Sequence, residues 1–353
     1  MTIVLTVTAL LASVSACGQG APGAAKAAAE SAGRFWVTTP EDSLLAESIL
    51  TRMKEYLAEQ EKGEAKEKGE AKEKGEAKEK KEKKENVREV AKAQEQVVNR
   101  KQGSIAELMV LAGKALVGQP YVAGTLDERS AGTLDERTGE KTGQREDQGW
   151  REELRIYLTR TDCIVFVETC LALARAAAEG GDFQAFANEI RQIRYRDGRI
   201  ETYADRLHYT TEWARQGEAR GVLQDVTRAL GGEPLARPVN YMSSHPESYP
   251  LMDDPAAIRE AEDRINSEPR YYIPKSRLDD ALSGIRSGDI ICMVTSVEGL
   301  DISHVAMAVV ENGTVGLLHA STASMKVQTD PRPLQDYVRG RSSVIGIQVL
   351  RPL

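Results

Sequence analysis

The sequence predicts an α+β fold in which a helix that begins at Cys163 packs on an antiparallel sheet. Thr161-Asp162 supplies side-chain oxygens that can cap a helix, and the mostly apolar run at 164–174 is long enough to be a buried one. Later in the chain, two apolar runs flank Asn312-Gly313, the strongest short signal of a β-hairpin. We expect the sheet to contain four strands, at 289–295, 303–310, 314–319 and 344–350.

Length and composition leave room for a sizeable core and exclude several classes of protein. The chain has 353 residues, 41% of them hydrophobic, and a formal net charge of −7. Because its lysines are matched by glutamates in one tract, we expect no nucleic-acid partner. Four cysteines do not make a disulfide scaffold, although a bridge between Cys170 and Cys292 stays open. The histidines are far apart in sequence and no Cys-x-x-Cys occurs, so we expect no metal site and no cofactor.

The first residues predict export. A short apolar stretch from Ile3 to Ala16 ends in small residues directly before Cys17, as in the signal peptides of bacterial lipoproteins. We therefore expect residues 1–16 to be a signal peptide, Cys17 to be acylated, and the exported chain to be anchored to a membrane, facing the periplasm or cell envelope. An ordinary signal peptide cut nearby, or a chance apolar start, is the alternative. The small residues that follow indicate a flexible tether over 17–40.

Residues 41–103 are predicted to form a charged, partly helical spacer. The unit at 64–69 recurs at 70–75; its glutamates four residues before lysines favour helix, while its glycines weaken it. Because the repeat has no apolar face, we interpret it as solvated, with a partner-binding stalk as the alternative. We expect the folded domain to span 104–353, with a mobile loop at 124–150 that contains a tandem duplication.

Cys163 is the candidate nucleophile. It lies in the first turn of its predicted helix, where unpaired backbone N–H groups and the helix dipole favour negative charge and lower the pKa of a thiol. A thiolate at this position can attack a carbonyl carbon. The alternative is a small core residue, which is how we interpret Cys170, two turns further along, and Cys292, inside an apolar strand.

The hairpin turn fixes which residues lie opposite each other on its two strands. A two-residue turn at Asn312-Gly313 pairs Glu311 with Thr314. Counting back along both strands from that pair sets Ala306 opposite His319.

Two histidines on this hairpin supply a candidate base. Because side chains alternate along a strand, His304 shares a face with Ala306 and becomes a diagonal neighbour of His319. One imidazole can then orient the other beside a thiol, which is the general form of an activated cysteine nucleophile. Each histidine taken singly is an ordinary core or surface residue. Since Ala306 and Ala308 are small, we expect the Cys163 helix to approach this face of the sheet.

Seven segments together carry a resemblance to a known family. In chain order they are Gly118-Gln119-Pro120-Tyr121, Asp162-Cys163, Arg206-Leu207-His208-Tyr209, Asn240-Tyr241-Met242-Ser243, Ser287-Gly288-Asp289-Ile290-Ile291, Gly299-Leu300-Asp301-Ile302-Ser303-His304 and Leu318-His319-Ala320-Ser321. Each is a weak signal alone. The first two segments, His304-Val305-Ala306 and the last segment, in that order, resemble the NlpC-type papain-like cysteine hydrolases of bacterial cell walls, and the other segments support one branch of them. The stretch 105–353 is more closely similar to the branch of muramoyl-L-alanine amidases that acts on anhydromuropeptides.

The resemblance implies a papain-like fold, a cell-wall substrate and a thiol mechanism. Cys163 would attack the amide between the lactyl group of a muramic acid and L-alanine, His304 would take and return the proton, and His319 would orient His304. The partners implied are peptidoglycan fragments, anhydromuropeptides in particular. Two alternatives stay open: an endopeptidase that cuts the γ-D-glutamyl bond of the stem peptide with the same residues, and a lipoprotein that binds wall fragments without catalysis.

Substrate-binding residues are expected around this site. The resemblance implies that Tyr121 lines the cleft, with simple packing as the alternative, and Asp162 either bonds a substrate amine or only caps its helix. Arginines and aromatic residues crowd 190–213, which suits a glycopeptide because aromatic faces stack on sugars and guanidinium groups bind carboxylates. The predicted substrate-binding set is Tyr121, Asp162, Arg206, His208, Tyr209, Asn240 and Ser303.

Overall fold

The chain forms a central antiparallel sheet with helices on both faces. The computed structural model describes residues 35–73, 105–127 and 152–353. In chain order its strands are β1 (Trp36–Val37), β2 (Leu154–Arg155), β3 (Leu223–Asp225), β4 (Glu233–Pro234), β5 (Tyr271–Pro274), β6 (Ile290–Thr295), β7 (Ile302–Glu311), β8 (Thr314–Ser321), β9 (Lys326–Thr329) and β10 (Val344–Pro352). Its α-helices are α1 (Pro40–Glu73), α2 (105–115), α3 (Cys163–Ala178), α4 (Phe183–Arg194), α5 (Thr210–Ala219), α6 (Tyr241–Ser244), α7 (Pro255–Asn266), α8 (Leu278–Ala281) and α9 (Leu334–Arg339).

Eight of the described strands make up the main sheet. They are ordered β4-β5-β10-β6-β7-β8-β9, and β3 pairs with β10 as well. Each pair in this sheet is antiparallel. The four predicted strands correspond to β6, β7, β8 and β10, which are direct neighbours, so the prediction of these strands is confirmed. β1 and β2 form a separate parallel pair.

The β7–β8 hairpin has the register that its turn predicted. Glu311 pairs with Thr314, and the ladder continues to Met307 opposite Leu318, one residue before Ala306 and His319. The turn residues Asn312 and Gly313 have φ values of 52° and 75°. This is the left-handed conformation that a tight two-residue hairpin turn requires.

Side chains of the central strands alternate between two hydrophobic cores. Cys292, Val305 and Met307 belong to the core that also contains the buried faces of α1, α2, α3 and α4. Ala306 and Ala308 belong to the opposite core, together with Leu334 and Tyr337 of α9. The expectation that the Cys163 helix packs on the Ala306 face is therefore wrong: α3 lies on the Val305 side. The two small alanines make room for α9 instead.

The folded part of the chain begins earlier than the predicted boundary at 104. The first half of α1 buries an apolar face in the α3-side core, and the described residues between Trp36 and Leu353 belong to one compact unit. The buried residues of this face are Ala46, Ile49, Leu50 and Met53. The spacer interpretation is thus wrong for this half, because the apolar positions before the charged repeat are spaced to cover one helix face. β1 likewise moves the end of the predicted tether from 40 to before Trp36.

The N-terminus of α1 is tied to the segment that leads to Cys163. Asp42 is fully buried, and its Oδ1 accepts hydrogen bonds from the backbone N–H groups of Leu158 and Thr159, each 2.7 Å long, and from the Thr159 hydroxyl at 2.8 Å. These bonds keep the pKa of Asp42 below its ordinary value although burial alone would raise it. α1 therefore helps to fix the segment that leads to Cys163.

Several predictions fall outside the described residues. The signal peptide at 1–16, the lipidation of Cys17, the tether up to residue 34, the spacer at 74–103 and the loop at 128–150 lie there and stay predictions. The start of that loop is described, and Thr125–Asp127, inside the first copy of the duplication, form a short 3-10 helix. Among the helices that are described, none has the length and apolar character needed to cross a bilayer.

Candidate active site

Cys163 is the first residue of α3 and borders a cavity of about 240 Å³. Asp162 caps the helix: its Oδ1 accepts a hydrogen bond of 2.9 Å from the N–H of Val165, as the sequence predicted. Cys163 is a free thiol with partial exposure, whereas Cys170 and Cys292 are buried free thiols, so the structure contains no bridge between those two. The cavity is lined by Gly124, Leu126, Asp127, Asp162, Cys163, Ile164, Glu168, Arg194, Arg206, Leu207, His208, Thr210, Trp213, Ile302, Ser303, His304 and Val305.

The Cys163 thiol is protonated in this resting arrangement. Burial, followed by the neighbouring Asp162 carboxylate, raises the pKa of Cys163 to about 12. The backbone N–H groups of Val305 and Ile164 act in the opposite direction and lower the pKa of Cys163, as expected at a helix start, but they do not prevail. The predicted net lowering of the thiol pKa is therefore wrong, because a helix N-terminus cannot offset both desolvation and an adjacent carboxylate.

The two histidines of the hairpin are hydrogen-bonded to each other. Nε2 of His304 and Nδ1 of His319 are 2.8 Å apart, and the ring planes are nearly perpendicular at 84°. His304 is half-buried and lines the cavity that contains Cys163, while His319 is fully buried behind it. The predicted diagonal pair is confirmed. The histidine pair lies on the α9 side of the sheet, whereas α3 lies on the other side. Cys163 and His304 nevertheless line the same cavity, which residues 302–305 border at the start of β7.

Aromatic and cationic side chains cover the far side of the histidine pair. The Tyr337 ring of α9 lies 5.3 Å from the His319 ring and 6.3 Å from the His304 ring, centroid to centroid. The guanidinium groups of Arg332 and Arg341 lie over Tyr337, at 4.8 Å and 4.3 Å from its ring centre. The positive charges of Arg332 and Arg341 disfavour protonation of the two imidazoles.

Both imidazoles are neutral at rest. Burial, then the His319 and Arg341 charges, lower the pKa of His304 to about 3. Burial lowers the pKa of His319 to about 4, and Arg341 adds to this while Asp330 opposes it. Cys163 and His304 therefore line one cavity as a neutral thiol and a neutral imidazole.

Two buried arginines in the cavity wall are bound to carboxylates of the protein itself. Arg194 Nε donates to Glu168 Oε2 at 2.7 Å. Arg206 makes two hydrogen bonds to Glu152, of 2.8 and 2.9 Å, and a third to Asp127 at 2.7 Å. Arg206 thus reaches the cavity as predicted, but as part of an ion-pair network. These pairs give the cavity polar walls with compensated charge.

Four other predicted substrate-binding residues lie at or beside the cavity. Asp162, His208 and Ser303 line it. Tyr121 contacts the same hydrophobic cluster as Cys163, and burial, followed by the Cys163 and Asp162 charges, raises the pKa of its phenol to about 12. The His208 ring lies 4.3 Å from the Tyr203 ring, centroid to centroid, at a tilt of 35°. Its Nε2 is 2.8 Å from the Tyr203 carbonyl oxygen, so the Tyr203 backbone holds the ring.

Tyr209 and Asn240 are not among the cavity-lining residues. The Tyr209 hydroxyl donates to Glu262 at 2.7 Å and accepts from the Met242 N–H at 2.8 Å. Asn240 is exposed, and its N–H donates to the Gly299 carbonyl at 3.0 Å. Both residues support the segment around α6, so the structure gives them a bracing position in place of the predicted direct contact.

Sequence reasoning missed Glu168 and Asp330, and it placed Trp213 in the aromatic-rich region at 190–213 without including it in the predicted binding set. A single acidic residue inside the apolar run at 164–174 was a usable signal for Glu168, because a charge on a buried helix needs a partner. Trp213 lines the cavity, and its buried Nε1 has no hydrogen-bond partner among the described residues. Asp330 is placed by a loop, and no local pattern marks it. In the part of the chain that the structure describes, no group of three or more His, Cys, Asp or Glu residues could hold a metal ion.

Solved structures with this architecture come from several bacteria. An N-acetylmuramoyl-L-alanine amidase from Bacteroides uniformis is 32% identical with a TM-score of 0.61, and the match covers 70% of this chain and 99% of that one. A Bacteroides fragilis protein, provisionally named a xylanase, is 34% identical with a TM-score of 0.59 over 68% of this chain and 99% of that one. A Legionella pneumophila protein at 20% identity and a TM-score of 0.53 covers 74% and 96%, and it shows the fold alone. Among curated proteins, no relative matches the chain.

The family comparison defines the class of protein. The AmiA-like model, described as N-acetylmuramoyl-L-alanine amidase-like, matches residues 111–347, which is well over half of the chain. The class is that of cell-wall amidases, hydrolases of an amide bond. The chain belongs to the AmiA-like family.

Proposed function

We propose that this protein is an N-acetylmuramoyl-L-alanine amidase that hydrolyses the lactyl–L-alanine amide of muropeptides, the anhydro forms in particular, through Cys163, His304 and His319. The observation that carries the proposal is the hydrogen-bonded histidine pair, whose outer member shares one cavity with a helix-start cysteine. A papain-like fold of the NlpC type is part of the same proposal; the α3 helix and its neighbouring antiparallel sheet support it.

The first half of the reaction forms a thioester. His304 takes the proton of the Cys163 thiol as Sγ attacks the lactyl carbonyl carbon, so that charge develops only when substrate is in place. The C–N bond of the tetrahedral intermediate then breaks, and the proton passes from His304 to the departing amine of L-alanine. The muramoyl group remains on Sγ as a thioester.

The second half releases the sugar acid. A water molecule gives a proton to His304 and attacks the thioester carbonyl; the C–S bond breaks, and the proton returns to Sγ. The N–H of Cys163, at the start of α3, is the proposed donor to the oxyanion in both halves. Tyr121, which packs against the same hydrophobic cluster as Cys163, is a candidate second donor. Loss of one such donor typically slows an enzyme by about 10²–10³.

The character of the cavity supports a sugar–peptide substrate. His208 and the almost fully buried Trp213 line the cavity with aromatic atoms, and aromatic rings are groups that pack against sugars. The compensated ion pairs Arg194–Glu168 and Arg206–Glu152 present polar atoms without a large net charge, which suits a mostly neutral glycan with amide groups.

The test is mass spectrometry of products. The full chain is incubated with a mixture of intact and anhydro muropeptides, beside Cys163→Ala and Cys170→Ala. We expect release of free peptide beginning at L-alanine, mainly from the anhydro forms. Cys163→Ala should lose at least about a thousandfold in rate because the nucleophile is gone. Cys170→Ala removes a thiol from the same helix outside the cavity and should keep the activity.

Each other outcome contradicts a stated part of the proposal. Cleavage inside the stem peptide would assign the same three residues to a γ-D-glutamyl endopeptidase. Equal cleavage of intact and anhydro forms would remove the anhydro preference. No cleavage of either substrate would favour a protein that only binds wall fragments, and an active Cys163→Ala variant would remove the thiol mechanism.

A further inference from the structure

His319 has a second ring nitrogen that the bond to His304 does not use. Its Nε2 faces Asp330, and the distance to Oδ2 is 3.6 Å. That is an ion-pair contact, longer than a hydrogen bond, and Nε2 has no hydrogen-bond partner among the described residues. The His319 side chain is 0% exposed and Asp330 is 5% exposed. A buried imidazole N–H costs free energy unless an acceptor is near, and the Asp330 carboxylate is the acceptor that lies beside Nε2.

Asp330 is held in place and held ionised. Arg332 donates to its two carboxylate oxygens from Nε and Nη2, both at 2.9 Å, and the Arg332 backbone N–H donates to Oδ1 at 3.0 Å. Burial alone would raise the pKa of Asp330, but these bonds bring it below its ordinary value. The Asp330 N–H donates to the Leu317 carbonyl of β8 at 2.8 Å, which fixes the loop beside the histidine strand.

We propose that Asp330 is a positioning residue that acts through His319 to set the proton arrangement of the catalytic histidines; the inference rests on the proposed Cys163–His304 chemistry. Asp330 favours the His319 tautomer with its proton on Nε2. Nδ1 of His319 then accepts the proton of His304 Nε2 across the 2.8 Å contact. Nδ1 of His304 is left unprotonated, and it is the base available to Cys163.

The same carboxylate acts during turnover. When His304 takes the thiol proton, the new positive charge is shared with His319 through their hydrogen bond, and Asp330 is the anion that faces it. The charged groups around the pair are Asp330, which favours imidazolium, and Arg332 and Arg341, which oppose it. Asp330 is therefore the group that offsets the two arginines at the moment when charge appears.

The tautomer can be read on the unaltered protein. The chain has four histidines, so long-range ¹H–¹⁵N correlation spectra of ¹⁵N-histidine-labelled full-length protein resolve each ring. At neutral pH we expect His319 to be neutral with its proton on Nε2, and His304 likewise with its proton on Nε2. A His319 ring with its proton on Nδ1 would overturn the proposal without any mutation.

The variant Asp330→Asn removes the charge and keeps the size. We expect kcat to fall by about 10- to 100-fold with KM changed less than about twofold, because His319 acts on the transition state and not on substrate binding. Since the Asp330 charge raises the pKa of His319, its removal should also move the acidic limb of the kcat/KM profile to lower pH. A residue with a merely structural role would not move that limb.

The molecule offers a matched control. Asp289 is 1% exposed, and Arg351 binds its two oxygens at 2.9 and 2.7 Å. A backbone N–H, that of Arg286, also donates to it at 2.8 Å. Asp289→Asn therefore removes the same charge from the same type of arginine pair, away from the histidines, and we expect it to keep both kcat and the acidic limb.

The outcomes separate this proposal from the one on which it rests. Unchanged kcat and an unmoved limb in Asp330→Asn, or equal losses in Asp330→Asn and Asp289→Asn, would overturn the role of Asp330 and leave the Cys163 mechanism intact. An active Cys163→Ala variant would instead remove the mechanism itself. If Asp330→Asn does not fold, the His319 tautomer decides.

Discussion

The two sides of the Cys163 cavity disfavour charges of opposite sign. On the nucleophile side, burial and the Asp162 carboxylate disfavour a Cys163 thiolate. On the base side, burial and the Arg341 cation disfavour a His304 imidazolium. Each side thus keeps its own group neutral, and together they make the thiolate–imidazolium pair costly in the empty site. Substrate that excludes water and supplies a carbonyl to attack is what makes proton transfer productive.

The two sides differ in the groups that can stabilise the charge that each of them disfavours. The nucleophile side has backbone N–H groups, from Ile164 and Val305, that lower the thiol pKa and can stabilise negative charge. The base side has one buried carboxylate, Asp330, behind its inner histidine. Helix-start N–H groups are a local consequence of where α3 begins, whereas the carboxylate depends on a loop that follows β9.

The largest expected effect comes from removing His319, the inner histidine of the base side. His319→Ala removes the partner that holds His304, and we expect kcat for muropeptide hydrolysis to fall by roughly 10²–10⁴ while substrate binding persists. His245→Ala is the control, because His245 stacks on Tyr241 and does not line the cavity. Normal turnover in His319→Ala would mean that another group orients His304. Asp301 is a poor candidate for that group, since its carboxylate accepts from the Thr211 and Ile302 N–H groups.

The hairpin that carries this pair was predictable from local patterns. Strand alternation and the Asn312-Gly313 turn fixed the register, and the register alone brings His304 and His319 together. The helix start at Cys163 followed in the same way from a cap residue before an apolar run.

Long-range packing was not predictable in this way. Nothing in the sequence around Ala306 indicates that α9 covers it and not α3, and nothing near Asp330 points to a histidine in another strand. The pKa of Cys163 was predicted in the wrong direction because helix position is a local property, while desolvation depends on every element around the thiol. The apolar positions of α1 could be recognised in the sequence. Because a charged repeat follows them, the whole segment was interpreted as a spacer, and its contribution to the core was not predicted.

A smaller effect is expected from removing the Arg341 charge, which lies near both histidines of the base side. Arg341→Gln removes a cation that lowers the pKa of both His304 and His319, so the acidic limb of the kcat/KM profile should move to higher pH. Activity should then be lost at an acidity that the unaltered protein tolerates. Arg339→Gln is the control, because Arg339 pairs with Asp279 at 2.7 Å on the surface. If the acidic limb of the kcat/KM profile does not move in Arg341→Gln, or moves equally in both variants, the Arg341 charge does not set the pKa of the two histidines.

The smallest effect concerns the nucleophile side. Asp162→Asn keeps a good helix cap, so stability should change by less than about 0.5 kcal/mol. It removes the carboxylate charge that raises the pKa of Cys163, so iodoacetamide should alkylate Cys163 roughly twofold to tenfold faster at pH 7. The alkylation is followed by mass spectrometry of the Cys163 peptide, with Cys170 in the same digest as the internal reference. An alkylation rate equal to that of the unaltered protein would show that the Asp162 carboxylate does not raise the pKa of Cys163.

The neutral resting pair is tested most directly by the pH dependence of Cys163 alkylation in the substrate-free, unaltered protein. With a thiol pKa raised to about 12, the thiolate fraction is small throughout the neutral range. The rate should therefore rise by about tenfold per pH unit from pH 6 to pH 8 without levelling off. A rate that is already constant across that range, with its inflection at a pH of roughly 3.5–5.5, would demonstrate a preformed thiolate–imidazolium pair and contradict the account.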